Sequence, residues 1–408
     1  MSAPTTMEVP VGPQHPALKE PIRLTLYIDG EYVVRVKPRI GYVHRAIEKA
    51  FEQRNYIQNL YLAERVCGIC SHSHIFCYSQ CLDRLLEKPA PPRGEYIRLI
   101  VAELERIHSH LLWLGVAFHE IGFDTLWYYV WRDREVVMDL LELVSGNRVN
   151  YAMSTVGGAR RDIDNLKADK IRKGMNVLEE RTKYYLDVCI KDIVSGTSVR
   201  RRTEGVAILK TRDAIELGAV GPTARASNVK RDIRADDKYS AYAECWERSG
   251  VDVIVWETCD LWARVAVRVL EVIQSIQLIR DALDHMPSGP YRHPLPPVLR
   301  IPENEAISMV EAPRGELIHH IRSDGTDRPY RHKVRSPTLG NILPVCKMLE
   351  GVYIADVPIA FAGIDPCISC TDRVLHLIDV GRREPRDLGV FNIFELRHWA
   401  RKRCGGSR

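Results

Sequence analysis

At 408 residues, 45% of them hydrophobic, the chain is long enough to bury a substantial core, either as one large domain or as two to three smaller ones. A formal net charge of +5, without a basic stripe interleaved with aromatics, makes nucleic acid a poor partner. Met1 to Pro10 lacks a basic stretch leading into an apolar one, and no apolar run is as long as a membrane span, so any membrane is expected to be met through partner subunits.

Along the chain, the prolines around Gln14 and His15 make Gly12 to Pro16 irregular. Ile22 to Ile40 alternates apolar and polar residues on both sides of Asp29-Gly30, which predicts a β-hairpin with a two-residue turn. His44 to Glu64 has helical apolar spacing and no interior Gly or Pro, so one helix is expected to run into Cys67. After the break at Pro89 to Gly94, Glu95 to Val116 carries apolar residues three and four apart, such as Ile97, Ile100, Val101 and Leu104, and reads as an amphipathic helix. Further helices are expected at Leu126 to Val144, Asp164 to Ile193 and Asp260 to Asp284. Together they suggest a central helical bundle over about 92–285.

Two glycine clusters, around Gly157 and around Gly218 to Gly221, read as tight turns, because neither forms a phosphate-binding loop. Arg200 to Arg202 reads as a solvated or ion-paired cluster. Pro287 to Pro302 is expected to be a surface connection, Ala306 to Arg331 a small β-rich segment, and Asn341 to Leu349 a short helix with Pro344 in its first turn. The expected fold is α+β and predominantly helical, with small N-terminal and C-terminal β segments. Residues 1–373 would form one catalytic domain, followed by a tail, 374–408, that is basic toward its end at Arg397, Arg401, Lys402 and Arg403.

Eleven cysteines, an odd number, without an export signal point to reduced thiols or metal ligands. Four form two Cys-x-x-Cys pairs, Cys67 with Cys70 and Cys367 with Cys370. Thiolates are soft donors that suit zinc, iron–sulfur clusters, copper(I) or nickel, and on ligand type alone structural zinc is the plainest reading. Zinc sites usually draw both pairs from one compact module, whereas a long, largely helical stretch lies between these two, as expected of a site at the centre of a large fold. A thioredoxin-like reading needs a βαβ context that neither pair has. Cys77 and Cys81 follow at helical spacing and read as buried thiols on a helix face.

The residues around the pairs carry more. Glu64 to His74 contains Glu-Arg-Val-Cys-Gly-Ile-Cys-Ser-His-Ser-His, and Asp365 to Arg373 reads Asp-Pro-Cys-Ile-Ser-Cys-Thr-Asp-Arg. Together they resemble the nickel-binding motifs of the large subunit of [NiFe]-hydrogenases. The ending Thr371-Asp372-Arg373, in place of the histidine of uptake enzymes, resembles the energy-converting, membrane-associated group related to respiratory complex I. Segments at Gly12 to Pro16, Gly41 to Arg45, Arg54 to Tyr56, Ile107 to His110, Ser145 to Asn150 and Glu311 to Gly315 extend the likeness over most of Met7 to Arg373.

The resemblance implies a hydrogenase large-subunit-like fold. Cys67 and Cys367 would be terminal nickel ligands, with Cys70 and Cys370 bridging to an iron that carries carbon monoxide and cyanide. No iron–sulfur cluster is expected in this chain. Dihydrogen would split into a proton and a hydride, with Cys367 as the base and Glu20 as the relay that carries the proton away. Arg314 matches the arginine over the open metal position, Asp365 the carboxylate beside it, and His74 the histidine that hydrogen-bonds a bridging cysteine. The bland alternative for Arg314 is a salt bridge with Glu311 or Glu316, and for Glu20 a surface charge. Glu48 matches a magnesium ligand of uptake enzymes, although Arg373 replaces the histidine of that site and cannot ligate a cation. Ser109 stands where uptake enzymes carry an aspartate, and His72 and His108 read as structural.

The resemblance also implies an iron–sulfur small subunit, further hydrophilic subunits, an integral membrane arm that translocates ions, ferredoxin as electron partner, and a peripheral position on the cytoplasmic face of the membrane. The tail after Arg373 would be either a maturation extension removed by cleavage or a lasting interaction segment. Two other functions stay open. One is a complex I-type subunit that reduces a quinone or sulfur compound without nickel, in which His15 would face the quinone; the other is a zinc-stapled scaffold.

Overall fold

The computed structural model describes residues 6–189, 198–296, 298–373, 375–379 and 386–391. At its N-terminal end β1 (Met7–Val11), β2 (Arg23–Asp29) and β3 (Tyr32–Arg39) form an antiparallel sheet in chain order. The predicted hairpin is present, but its turn is Gly30-Glu31, one residue later than expected, because Asp29 pairs with Tyr32 and Gly30 adopts φ 60°. β1 was not anticipated; Pro10 is tolerated there because the strand lies at the sheet edge.

The single helix expected over His44 to Glu64 is two: α1 (Ile47–Glu52) and α2 (Tyr56–Glu64). Asn55 is extended and accepts from Gln58 N at 2.8 Å, while Gln58 Oε1 accepts from Asn55 N at 3.2 Å. This reciprocal capping box starts a new helix inside an unbroken apolar pattern. α3 (Ser71–Leu85), α4 (Pro92–Glu120), α5 (Asp124–Ser145) and α6 (Asn165–Cys189) follow, with the expected run of α6 to Ile193 lying outside the described residues from Ile190 onward. Between α5 and α6 a small hairpin, β4 (Ser154–Thr155) and β5 (Gly158–Ala159), replaces the predicted turn. A Cβ on Gly158 would lie 2.2 Å from Tyr291 O, so close backbone packing is what requires that glycine.

Five short helices, α7 (Ser198–Thr203), α8 (Thr211–Glu216), α9 (Pro222–Arg225), α10 (Ile233–Asp236) and α11 (Tyr242–Ser249), lead to the long α12 (Leu261–His285). Arg200 and Arg202 are ion-paired, with Glu204 at 2.8 Å and Asp356 at 3.0 Å. The proline-rich stretch to Pro302 is irregular but not wholly superficial: Leu299 and Ile301 are buried, and Arg292 bridges Gly158. A second antiparallel sheet, β6 (Asn304–Ala312), β7 (Gly315–Ser323) and β8 (Arg331–Arg335), fulfils the β-rich expectation. α13 (Pro337–Met348) starts earlier than expected because Pro337 opens it, which leaves Pro344 in the helix interior. After α14 (Val357–Ala362) comes the second cysteine pair, then a β9 (Leu375–Asp379) and β10 (Arg386–Phe391) hairpin. The basic end of the tail lies outside the described residues.

Helices dominate, and α4 packs against both α5 and α12. α4 is buried nearly all round, and its arginines Arg98 and Arg106 are paired inside the bundle with Asp83 and Glu103. Arg225 meets Glu271 at 2.7 Å and Glu311 at 2.8 Å, while Arg234 meets Asp232 at 2.7 Å and Glu103 at 3.1 Å. Burial alone would push the carboxyls up; the arginines outweigh it and hold Glu103 below its ordinary value and Glu271 well below. Arg234→Leu should therefore lower stability by about 3–5 kcal/mol, because the partner carboxylates stay buried without their cation. Thermal unfolding of the variant against wild type checks this.

Candidate metal centre

The first cysteine pair occupies the short loop between α2 and α3, with Cys70 immediately before the first helical residue. Glu105, one turn along α4 from Val101, reaches across and accepts from His72 N at 2.6 Å, Ser73 N at 2.9 Å and Ser73 Oγ at 2.5 Å. It thereby satisfies the otherwise orphaned donors at the start of α3 and fixes where Cys70 stands. Cys67 Sγ in turn accepts from Ile69 N at 3.4 Å and Cys70 N at 3.5 Å.

The second pair hangs from the end of α14, where Trp113 Nε1 on α4 donates to Ala362 O at 2.7 Å. Asp365 adopts the left-handed conformation at φ 54°, a bend that Asp tolerates better than most residues and that turns the chain into Pro366. Thr338 Oγ1 accepts from Cys367 N at 3.1 Å, and Thr371 Oγ1 donates to Cys367 O at 2.7 Å. One side chain joins the two loops: Arg45 donates to Arg65 O at 3.0 Å, to Val66 O at 2.7 Å and to Ser369 O at 2.9 Å.

The result is a buried cage of four thiols. Cys67 and Cys367 sulfurs are 3.2 Å apart, and those of Cys67, Cys70 and Cys370 all lie within 4.8 Å of one another. None is more than 3% exposed. Hydrogen bonding from the other three thiols, aided by the charge of Arg314, holds Cys67 well below the thiol range. Four convergent soft donors, two of them, Cys67 and Cys367, already biased toward thiolate, fit a thiophilic metal such as nickel or iron. Cys77 and Cys81 are excluded from the cage, as expected: their thiols donate to Ser308 O at 3.2 Å and Ala306 O at 3.1 Å, and burial pushes Cys77 up to about 12.

Arg314 is at the tip of the β6–β7 hairpin, where Ala312 pairs with Gly315 and leaves Pro313-Arg314 as the turn. A Cβ on Gly221 would meet Gly315 Cα at 2.4 Å, so glycine lets this tip press inward. Arg314 donates to Asp365 Oδ1 at 2.7 Å, Asp365 O at 2.8 Å and Ser109 Oγ at 3.1 Å. It does not pair with Glu311 or Glu316, which hold Arg225 and Arg335 instead. Burial pushes the Asp365 carboxyl up, opposed by Arg314 and Arg268.

Glu20 reaches the second pair from the N-terminal segment. Its carboxylate accepts from Ile368 N, and from Ser369 N at 3.3 Å. Burial and the neighbouring Cys367 raise it above the ordinary carboxylate range. His15 is exposed and lines a surface groove with Glu20, outside the cage.

Two expectations need correction. His74 does not hydrogen-bond a cysteine: its Nδ1 meets His319 Nε2 at 3.2 Å, and its Nε2 has no hydrogen-bond partner among the described residues. Glu48 is not free to hold magnesium, because Lys333 Nζ at 2.9 Å and Arg373 Nη2 at 3.4 Å already neutralise it and Val334 N donates to it at 3.0 Å. A divalent cation there would face two fixed positive charges. His72 and His108 are structural, held by Arg98 O and by the Arg134 guanidinium.

Glu105 was missed although it interrupts the apolar stripe of α4, and such an interruption is the signal of a buried carboxylate with a task. Burial raises it to about 8 against the pull of its three hydrogen bonds. Because the folded chain holds this proton more tightly than the unfolded one, the contribution of Glu105 to stability is complete below pH 4.5 and is lost as pH rises toward 8, by at most roughly 1.4 kcal/mol per pH unit. Glu105→Gln should flatten that slope, as read from unfolding temperatures of the full chain over this range.

Comparison with known proteins agrees with this architecture. Residues 45–119 match the family of nickel-dependent hydrogenases, and residues 120–299 and 295–373 match the respiratory-chain NADH dehydrogenase 49 kDa subunit. The chain belongs to the complex I 49 kDa subunit family. One relative is the membrane-bound hydrogenase subunit alpha of Pyrococcus furiosus, 43% identical over 385 residues that cover 90% of this chain and 88% of the relative. Another is the carbon monoxide-induced hydrogenase of Rhodospirillum rubrum, 39% identical and covering 90% of this chain and all of the relative (100%). One of the subunits of the F(420)H(2) dehydrogenase of Methanosarcina mazei is 35% identical, with 90% and 98% covered. In three dimensions the chain matches one in the membrane-bound sulfane sulfur reductase, an archaeal respiratory membrane complex, with a TM-score of 0.83 and 31% identity, covering 90% of this chain and 98% of the other. No helix among the described residues is long and apolar enough to cross a membrane.

Proposed function

We propose that this chain is the catalytic subunit of a multisubunit membrane-bound [NiFe]-hydrogenase that interconverts dihydrogen with protons and electrons. The observation that carries the reading is the complete thiol cage: four buried cysteines from two distant loops, with a fixed guanidinium and a raised carboxylate both bonded to the loop of the second pair. Cys67, Cys70, Cys367 and Cys370 would together hold a nickel–iron centre whose iron carries carbon monoxide and cyanide. When bound, this centre supplies the Lewis acidity that makes dihydrogen acidic enough to part with a proton.

The chain's own residues would then act as follows. Cys367, in thiolate form, accepts that proton. Glu20, hydrogen-bonded to the two residues that follow Cys367, takes the proton on and releases it toward the groove it shares with His15. Arg314, locked by Asp365, keeps positive charge beside the cage and favours thiolate over thiol. Electrons would pass through an iron–sulfur small subunit to or from ferredoxin, and a membrane arm would couple the reaction to ion translocation on the cytoplasmic side. The name of one relative, a membrane-bound hydrogenase subunit alpha, supports a multisubunit assembly at a membrane.

The structural likeness to a sulfane sulfur reductase favours a second reading, in which the same fold reduces a sulfur compound. Metal analysis and infrared spectroscopy on the complex, purified anaerobically from its native host, separate the two. Nickel, iron and bands of carbon monoxide and cyanide support the hydrogenase; absence of nickel supports the reductase.

A further inference from the structure

The N-terminal sheet buries one face and leaves the other open. Leu24, Leu26 and Val36 point inward and pack with α13 and α14, so the residues that alternate with them point outward. On β3 these are Arg35, Lys37 and Arg39, all exposed, and Arg23 of β2 lies directly opposite Arg39. Alternate residues of a strand stand about 7 Å apart, so the three cations form a regular row, and like charges this close repel one another. No ion pair holds Arg23, Arg35 or Lys37 among the described residues. Glu8 of β1 is kept from Arg35 by Tyr27, which pairs with both.

Two of the arginines are braced by rings. The Arg35 guanidinium lies 5.5 Å from the centroid of Tyr27, and that of Arg39 lies 5.8 Å from the centroid of Tyr42. A guanidinium resting against a ring keeps its planar fork of N–H donors available to a carboxylate. Arginine together with tyrosine is also the composition that protein interfaces favour. Other polyanions fit less well. A nucleic-acid track draws on about 6–10 phosphate contacts, more than this face offers. A lipid surface is entered by projecting Trp, Phe or Leu, and this sheet exposes none of them.

We infer that the outer face of β2 and β3 docks an acidic segment of another subunit of the same assembly, whose carboxylates, about 7 Å apart, pair with Arg35 and Lys37. This inference rests on the multisubunit reading. The loop between β1 and β2 carries Glu20, so the docked subunit would grip a strand from which the relay loop springs.

The test treats the complex, purified from its native host, with a water-soluble carbodiimide, which joins an ammonium to a carboxylate in contact with it as an amide and takes up the water released. Mass spectrometry of the linked peptides should find Lys37 Nζ bound to an Asp or Glu of a second subunit. Lys37→Arg, which keeps the charge but offers no such amine, should lose that link while the complex stays whole. Arg35→Glu combined with Lys37→Glu should leave at least about tenfold less of the linked subunit per catalytic chain, because like charges then meet across the contact. In an intact complex, Lys37 linked only within its own chain, or not at all, overturns the inference and leaves the multisubunit reading standing. Undiminished retention of the linked subunit by the reversed pair overturns it too. If no link forms and the reversed pair instead abolishes binding of the complex to anionic lipid vesicles or to an oligonucleotide, the face belongs to lipid or nucleic acid, and the inference fails. Should the reversed pair not fold, the wild-type link decides alone. A catalytic chain that purifies without other subunits overturns both readings.

Discussion

Replacing Cys367 with serine is expected to abolish hydrogen–deuterium exchange by the assembled complex, a loss of at least about 10²–10⁴-fold, the usual contribution of a positioned proton-transfer group. Serine is slightly smaller but keeps the backbone bonds from Cys367 N to Thr338 and from Thr371 to Cys367 O, so the loop should hold its shape. What it loses is the anion. Cys367 is drawn toward thiolate by Cys370, although Cys67 opposes it. A hydroxyl has no such accessible charged form and is a hard donor where a soft one is needed. Exchange surviving in the serine variant, with nickel and iron still present, would remove Cys367 as the base.

The second large effect is expected from Glu20→Gln, which should slow turnover by about 10²–10⁴-fold while leaving the metals bound. The amide oxygen still accepts from Ile368 N or Ser369 N, so the loop keeps an anchor, but the amide cannot pass a proton. In wild type, burial and Cys367 raise the carboxyl, so the limb of the pH–rate profile that reports Glu20 should lie above 4.5, the ordinary value, and should vanish in the variant. The same shift fixes the sign for stability: the folded chain binds this proton more tightly than the unfolded chain, so the contribution of Glu20 falls as pH rises from 4.5 through its folded value. Unchanged turnover in the glutamine variant would take Glu20 out of the relay.

Much of this site was readable from the chain because its chemistry is carried by residue types with few other reasons to recur. The two Cys-x-x-Cys pairs announce themselves; Glu20 and Arg314 were readable only through the family resemblance, since a lone Glu before Pro21 otherwise reads as a surface charge, and the structure brings all of them to one place. The long helices were readable for a different reason, since an apolar period sustained over many residues leaves few alternatives. What failed was local or relational. The break at Asn55 is a side-chain capping event that apolar periodicity does not register, and Pro344 was taken for a helix start when Pro337 supplied the real one. The partners of Glu48 and His74 come from β8 and β7, hundreds of positions away, and no local pattern connects Glu48 to Lys333 or His74 to His319. Those pairings arise only once the second sheet docks against α1 and α3.

Arg45 carries a consequence for biosynthesis. Its guanidinium draws on carbonyls from Arg65, Val66 and Ser369, so its bonding is complete only when chain made early and chain made late are both present. During translation the first cysteine pair must wait, half-built, while the ribosome adds the bundle and the second sheet. A metal ion arriving in that interval would find two sulfurs instead of four and an arginine missing one of its acceptors. Assembly of the centre is therefore timed by synthesis of the segment around Ser369, and a ribosome stalled before it would release a nearly whole bundle with an open, oxidisable pair of thiols.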